Sequence, residues 1–442
     1  MQTLDNPAKA APTQKGNKKI INAWATFDLA NSVYNLVITA TIFPIYYKLV
    51  AVTENPPPGK EADEVLFLGM WFKNTSLYDF ALAFAFLVVA AVIPLLSGIA
   101  DAGGNKKRFL QFFTYLGATA CITMFWFDKT NLGLGITCAV LACVGYAGGL
   151  VFYNAYLPEI AAPEEQDRVS AKGFAMGYIG SAVLLIVNLA MVMTRETGPE
   201  KLEMMRWAFI TVGLWWIGFS MIPFFILPNT RSTTVKEGNP LTKGYKEIRK
   251  VWKEVKHNKP LVRFLPAFFI YSMGVQTVML VANHFGADEI KMEPGQLITT
   301  ILIIQFVAMG GAFLFSYISK LKGNLFTLKA ATIIWSLICI CTFFLVYTAA
   351  HFYVVAAFVG LVMGGIQSLS RSTYSKMLPD TEDNSSYFSF YDVAEKLSIV
   401  CGMATFGIIN QLSPTMREPI IALIAFFVLG FVLLLRVPKV RD

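Results

Sequence analysis

The chain has 442 residues, 55% hydrophobic and only 15% charged, with mean hydropathy +0.54. Soluble domains carry roughly 25% charged residues, so this composition excludes an ordinary soluble protein and predicts an all-α polytopic membrane protein. The net charge of +8 does not argue for a nucleic-acid partner, because the Lys and Arg gather in alternate loops between apolar runs about 20 residues long, the length that spans a bilayer as helix.

In chain order, residues 1–19 are polar and basic (Lys9, Lys15, Lys18, Lys19) and read as a cytoplasmic tail. The span that follows is too long for a signal peptide and lacks a small-residue cleavage site. Hydropathy predicts twelve spans, at 21–47, 78–100, 109–127, 132–157, 169–193, 206–228, 261–285, 296–319, 325–347, 351–377, 387–411 and 418–436. The first is apolar yet places Trp24, Asp28, Asn31, Asn35 and Thr39 on one stripe of a helix. An ionised Asp inside hydrocarbon costs at least roughly 2.5–3.5 kcal/mol, so this stripe is expected to face protein, water or a solute. A Pro-rich loop, Thr53 to Lys60, separates spans 1 and 2.

Basic residues cluster after span 2 (Lys106, Lys107, Arg108), after span 6 (from Arg231 and Lys236 to Lys259), after span 8 (Lys320, Lys322, Lys329) and in the last residues (Arg436, Lys439, Arg441). By the positive-inside rule both termini and the long central loop are cytoplasmic. The expected organisation is a tail (1–19), a six-helix bundle (20–228), a basic linker (229–260), a second six-helix bundle (261–436) and a tail (437–442). Within the linker, Tyr245, Ile248, Trp252 and Val255 recur at helical spacing opposite a basic face. That pattern fits a helix lying on an anionic leaflet, and a regulatory docking site is the alternative.

The halves resemble each other. Ser97, Gly104 and Asn105 recur as Ser316, Gly323 and Asn324 after span 8, and Leu157-Pro158-Glu159 recurs as Leu378-Pro379-Asp380 after span 10. Two weak matches at nearly one offset support duplication of a six-span unit, as in transporters whose solute site lies between repeats.

Polar residues are unevenly spread. Spans 3, 6, 9 and 12 hold no ionisable residue away from their ends. Span 1 holds Asp28, Asn31 and Asn35, span 4 Tyr153 and Asn154, span 7 Gln276, span 10 Gln367 and Arg371, and span 11 Asp392, Glu395 and Lys396. If the third member of each triplet faces lipid, the others line a central pathway. Asp392 and Lys396 are four apart and can pair, which leaves Glu395 as a candidate free carboxylate. Asp28, Asp392 and Glu395 are each candidates to carry a coupling proton, with Lys396 as their charge partner. Arg371 lies roughly 12 Å from its helix end. It can snorkel, hold a carboxylate such as Asp28, or bind an anionic group of the solute. The six cysteines all sit in apolar runs without metal-ligand spacing and read as small buried hydrophobes.

The loop Gly98-Ile99-Ala100-Asp101-Ala102-Gly103-Gly104-Asn105-Lys106-Lys107-Arg108 resembles the signature between spans 2 and 3 of the major facilitator superfamily, in Gly98, Asp101 and Gly104 followed by Lys106 and Arg108. Three further stretches, WATFDLANSVYN (Trp24 to Asn35), VFYNAYLPEI (Val151 to Ile160) and GGIQSLSRSTYSKMLP (Gly364 to Pro379), resemble the autophagy-linked vacuolar amino-acid effluxers and their bacterial relatives. Phe27 stands where that pattern has Tyr. The resemblance implies two pseudo-symmetric six-helix bundles and a conformational latch at Asp101. It also implies amino-acid export in the fungal members, and the compact chain fits a bacterial plasma membrane. Lys320 occupies the second-half position of Asp101, so any latch there must differ.

These features predict a secondary transporter working by alternating access on a small-molecule solute, with protons as candidate coupling ions and a monomer as the expected unit. Membrane lipid is the other expected partner. No nucleotide-binding G-x-x-x-x-G-K-[ST] loop is present, and no enzyme activity, cofactor or metal is expected. A passive facilitator and a non-transporting receptor on the same architecture are the alternatives.

Overall fold

The computed structural model describes residues 15–103, 106–229, 240–413 and 415–438. Gly104, Arg231, Lys236, Lys439 and Arg441, with most of the first tail, lie outside the described residues.

The chain forms α1 (Lys18–Val50), a hairpin β1 (Glu64–Phe67) and β2 (Met70–Lys73), α2 (Asn74–Gly103), α3 (Lys106–Trp126), α4 (Leu132–Ile160), α5 (Pro163–Met193) and α6 (Gly198–Ile226). A connecting helix α7 (Pro240–His257) leads to α8 (Lys259–Glu289), α9 (Pro294–Lys322), α10 (Asn324–Leu345), α11 (Ala349–Met377), α12 (Asn384–Leu412) and α13 (Glu418–Leu435). Eleven of the described helices are long and apolar enough to cross a membrane. The twelfth expected span is α12, a 29-residue helix whose Asp392, Glu395 and Lys396 lower its apolarity. It packs between α2 and α8, shielded from lipid on those sides.

In the first half α1 packs on α5 and α6, and α3 on α4 and α6. In the second half α8 packs on α12 and α13, and α9 on α11. The halves meet where α2 packs on α12 and α5 on α9 and α11. Small residues permit the closest approaches: a methyl at Gly360 of α11 would lie 2.6 Å from the Ile304 carbonyl oxygen of α9. Below, the end of the bundle carrying α7 is the linker end, and the opposite end is the far end.

Two local features add to the all-α architecture, and one expectation, the apolar stripe of the linker helix, needs correction. The fold is all-α but for the hairpin, whose turn places Leu68 and Gly69 at φ 48° and 81°, the paired left-handed conformation that matches strand twist. Helix α1 carries a π-helical segment, Tyr34–Ile42, a feature that gathers at functional sites. Helix α7 buries Gly244, Glu247, Val251 and Val255 against the protein, whereas Tyr245 and Trp252 are 64% and 44% exposed. The expected apolar stripe is therefore split between two faces. The crossing with α2 selects the buried face, because Gly98 and Gly244 meet there: a methyl at Gly98 would lie 2.5 Å from the Gly244 carbonyl oxygen.

Candidate functional site

Between the halves lies a cavity of about 590 Å³. Its walls come from α1, α2, α4 and α5 on one side and α8, α9, α11 and α12 on the other, and none of its lining residues belongs to α3, α6, α10 or α13. Those four helices are the third members of each triplet, which the sequence left without ionisable residues. The cavity extends toward the far end past Asp79 and Phe80 in the first turns of α2 and Gly407 in the last turns of α12.

Its floor is an ion pair between halves. Arg371 Nη1 of α11 donates to Asp28 Oδ2 of α1 at 3.3 Å and to Asn154 Oδ1 at 3.2 Å. Nε and Nη2 donate to the hydroxyl and carbonyl of Ser170, each at 2.9 Å. The guanidinium also lies over the rings of Phe174 and Trp24, at 4.2 and 4.9 Å. Asp28 accepts a second bond from the Tyr153 hydroxyl at 2.7 Å, and the Trp24 indole, stacked on Tyr153, donates to the Tyr153 carbonyl. Both charges are buried, at 4% and 2% exposure. Burial at that depth is sustained when hydrogen bonds compensate the charges, and here four bonds leave the guanidinium and two reach Asp28 Oδ2. A Cβ at Gly173 would fall 2.6 Å from Asp28 Oδ2, 2.7 Å from the Tyr153 hydroxyl and 2.9 Å from Arg371 Nη2. Only glycine lets α5 approach this pair.

A second charged cluster sits on α12. Lys396 Nζ lies 2.6 Å from Glu395 Oε2 and 3.5 Å from Asp392 Oδ1, and Gln276 of α8 donates to Glu395 Oε1 at 3.3 Å. Glu395 is therefore paired, not the free carboxylate expected. Glu395 and Lys396 line the cavity, whereas Asp392 lies behind its wall.

Two seals close the linker end. Asp101 accepts from the backbone N–H groups of Ser385 (3.3 Å) and Ser386 (2.7 Å) at the start of α12. It acts as an N-cap lent by the opposite half, since the local N-cap residue Asp383 makes no side-chain cap bond. Glu159 joins it, pairing with Lys106 and accepting from Asn384 at 3.0 Å. In the second seal the acid changes sides. Asp167, in the first turns of α5, accepts from Ser319 (2.9 Å), Asn324 (2.7 Å) and Lys376 (2.9 Å) of the second half. Helix α7 braces the first seal. Lys250 bonds Asp383 at 2.6 Å and Glu247 at 2.9 Å, Tyr387 donates to Glu254, and Trp252 stacks on Phe390. Burial pushes the Glu247 carboxyl above its ordinary range despite Lys250. For Lys250 burial acts downward, but the bonds and charges of Asp383 and Glu247 outweigh it and hold the ammonium above its usual value.

Of the residues expected along the pathway, Asp28, Asn35, Asn154, Gln276, Gln367 and Arg371 line the cavity. Tyr153 supports Asp28 from behind. Asn31 does not line the cavity: it is fully buried, and neither side-chain polar atom finds a partner among the described residues. It stands about 60° off the Asp28–Ser32–Asn35 wall. Of the expected latch residues, Asp101 and Lys106 enter the first seal, Gly98 serves the α7 crossing, and Arg108 is exposed. Sequence reasoning missed Ser170, Gly173, Asp167, Lys376 and Tyr178, whose hydroxyl donates to Gln367 at 2.7 Å. The Glu164-Glu165-Gln166-Asp167 run was a signal, but it reads as routine acid at a helix N-terminus.

The family model described as "Vacuole effluxer Atg22 like" matches residues 16–442. The chain is similar to the uncharacterized MFS-type transporter YxiO of Bacillus subtilis, at 27% identity, covering 95% of this chain and 94% of that protein. It is similar to autophagy-related protein 22-1 of Penicillium rubens, at 24% identity, covering 87% and 81% respectively. Among solved structures, the proton:xylose symporter XylE aligns with a TM-score of 0.74 at 13% identity, over 95% of this chain and 96% of that one. The human organic anion transporter MFSD10 aligns with a TM-score of 0.72 at 10% identity, over 95% and 100%.

Proposed function

The chain belongs to the Atg22-like vacuole effluxer family of the major facilitator superfamily, an integral multi-pass membrane protein, and from that premise we propose that it carries a small zwitterionic solute of the amino-acid class by alternating access. The observation that carries the solute class is the cavity's pairing of opposite charges. Arg371 and Lys396 offer cations to a carboxylate, and Asp28 and Glu395 offer anions to an ammonium. Asn35, Asn154, Gln276, Gln367 and Tyr178 add neutral donors and acceptors. Such a solute replaces the paired charges one for one, so its desolvation is matched by the site.

The excess of Lys and Arg at the linker end supports a cytoplasmic linker end and, with the Bacillus relative, a bacterial plasma membrane. In that orientation both seals close the cytoplasmic side and the cavity faces outward. Alternating access then requires the seals at Asp101 and Asp167 to part as the far end closes. The exposed Tyr245 and Trp252 of α7, among Lys246, Arg249, Lys253 and Lys256, fit the headgroup layer of an anionic leaflet. The direction we infer is export, driven by protons moving inward.

An untargeted comparison of pools in cells with and without the protein tests this. Cells lacking it are expected to accumulate one or more amino acids, and proteoliposomes holding it to exchange labelled forms of the same ones. Unchanged amino-acid pools together with no exchange would sink the reading.

A further inference from the structure

The two charged clusters on the cavity differ in their charge count. Asp28 and Arg371 balance. Asp392, Glu395 and Lys396 comprise two acids and one base, so with every group ionised one negative charge is left over inside the bundle. The geometry shows where that excess lies. Lys396 is committed to Glu395 at 2.6 Å. Asp392, 1% exposed, accepts no hydrogen bond on either carboxylate oxygen among the described residues, and the Lys396 ammonium stands at 3.5 Å, long for a hydrogen bond. A buried carboxylate without donors is far costlier than a carboxylic acid.

We propose that Asp392 holds an exchangeable proton, and that Lys396 passes between Glu395 and Asp392 as that proton is taken up and released. Among the described residues no other cation is shown in contact with Asp392. Helix α4 presents Tyr146 and Cys143, α8 presents Tyr271 and Gln276, and α12 itself adds Tyr391. Asp79 and Asp101 of α2 lie toward opposite ends of the α12 contact, Lys250 and Glu254 of α7 at its linker end, and Glu418 of α13 at the far end. Asp28 and Arg371 across the cavity are occupied by each other.

The step balances. A proton entering from the cavity, which Glu395 lines, binds the Glu395 carboxylate and removes its attraction for Lys396. The ammonium moves to Asp392, now the stronger partner, and the Asp392 carboxyl gives up its proton toward the linker end. One proton has crossed the cluster, and the cluster is neutral before and after. Asp392 sits about 4.5 Å nearer the linker end along α12 than Glu395 and, unlike Glu395, does not line the cavity.

This inference rests on the transport reading but is tested without a solute. Infrared difference spectroscopy on the purified protein reads the stretch of a protonated carboxyl at neutral pH. The wild type is expected to show one such buried band, and D392N to lose it. E395Q is expected to lose it as well, because Lys396, released from Glu395, then pairs with Asp392 and ionises it. D28N is expected to keep it. A purely structural role for Glu395 gives no reason for E395Q to erase a band that belongs to Asp392, and E395Q remains informative if D392N fails to fold. Absence of the band in the wild type, or its survival in E395Q, overturns the proposal. Failure to find a transported amino acid leaves the band untouched, so the two readings fail separately.

Discussion

Arg371 reaches across the interface between halves to within 3.3 Å of Asp28, making one ion pair both the floor of the cavity and a fastening between α11 and α1. Four hydrogen bonds from its guanidinium are spread over Asp28, Asn154 and Ser170, and the forked group is what allows that distribution.

Breaking this pair from one side leaves a buried charge without its partner. R371M is expected to lower stability by about 3–5 kcal/mol, read as a fall in unfolding temperature in detergent. Combining R371M with D28N removes both charges and should recover part of that loss. A double variant no more stable than R371M alone would show that the pair is not the main source of the cost.

The space at Gly173 permits a sharper test of the same floor. G173A adds one methyl where Asp28, Tyr153 and Arg371 converge, and overpacking of this kind costs about 1–3 kcal/mol. Exchange of the labelled solute is expected to fall well beyond what the loss of folded protein accounts for. Exchange per folded molecule equal to wild type would mean that the floor tolerates displacement.

The seals make a prediction about conformational balance. Hydrogen bonds to an ionised group contribute about 1.5–3 kcal/mol, so D101A and D167A should each shift the population toward an open linker end by roughly tenfold or more. Distances between spin labels on the linker ends of α5 and α9 report D167A, and labels on α2 and α12 report D101A. Distributions unchanged from wild type would dismiss the seals as determinants of state.

The brace from α7 has a defined pH response. The Lys250 ammonium is held above its ordinary value of 10.5, so its stabilising contribution is complete below that pH and is lost only as pH rises through the higher folded value. Glu247 is raised in the same sense, so its contribution is complete below 4.5 and declines as pH climbs through its folded value. Lys250 is half-exposed, and such contacts contribute about 0.2–1 kcal/mol. K250M is therefore expected to lower the unfolding temperature slightly and by the same amount throughout the neutral range. A K250M deficit that vanishes below neutrality would assign the effect to another group.

Much of the architecture was legible because a bilayer makes hydropathy decisive: each span had to be about 20 apolar residues, and each polar residue inside one had to face away from lipid. That logic found Asp28, Gln367, Arg371 and the α12 triad, and it identified α3, α6, α10 and α13 as helices remote from the cavity. It failed at Asn31 because 60° of helix rotation separates a cavity wall from a bundle interior, and angular bookkeeping over three turns does not resolve that difference. It assigned Glu395 as free because helical spacing favours the i, i+4 pair, whereas the long Lys396 side chain curls back to its neighbour. Asp167 was invisible for another reason. Its partners Ser319, Asn324 and Lys376 are more than 150 residues away, and no local pattern marks an acid that awaits them.

The opposite polarity of the two seals restricts how copies of this chain can assemble. If two first halves met, Asp101 of one would face the acidic start of α5, with Glu164, Glu165 and Asp167, in the other. If two second halves met, Lys376 and the basic residues beside Asn324 would face the electropositive start of α12. Both mismatches juxtapose like charge, at a cost of several kcal/mol, and only the pairing of unlike halves brings acid to donor. The duplicated bundle thus disfavours the pairing of like halves from neighbouring chains, a discrimination that becomes useful while the second half is still being synthesised beside others of its kind.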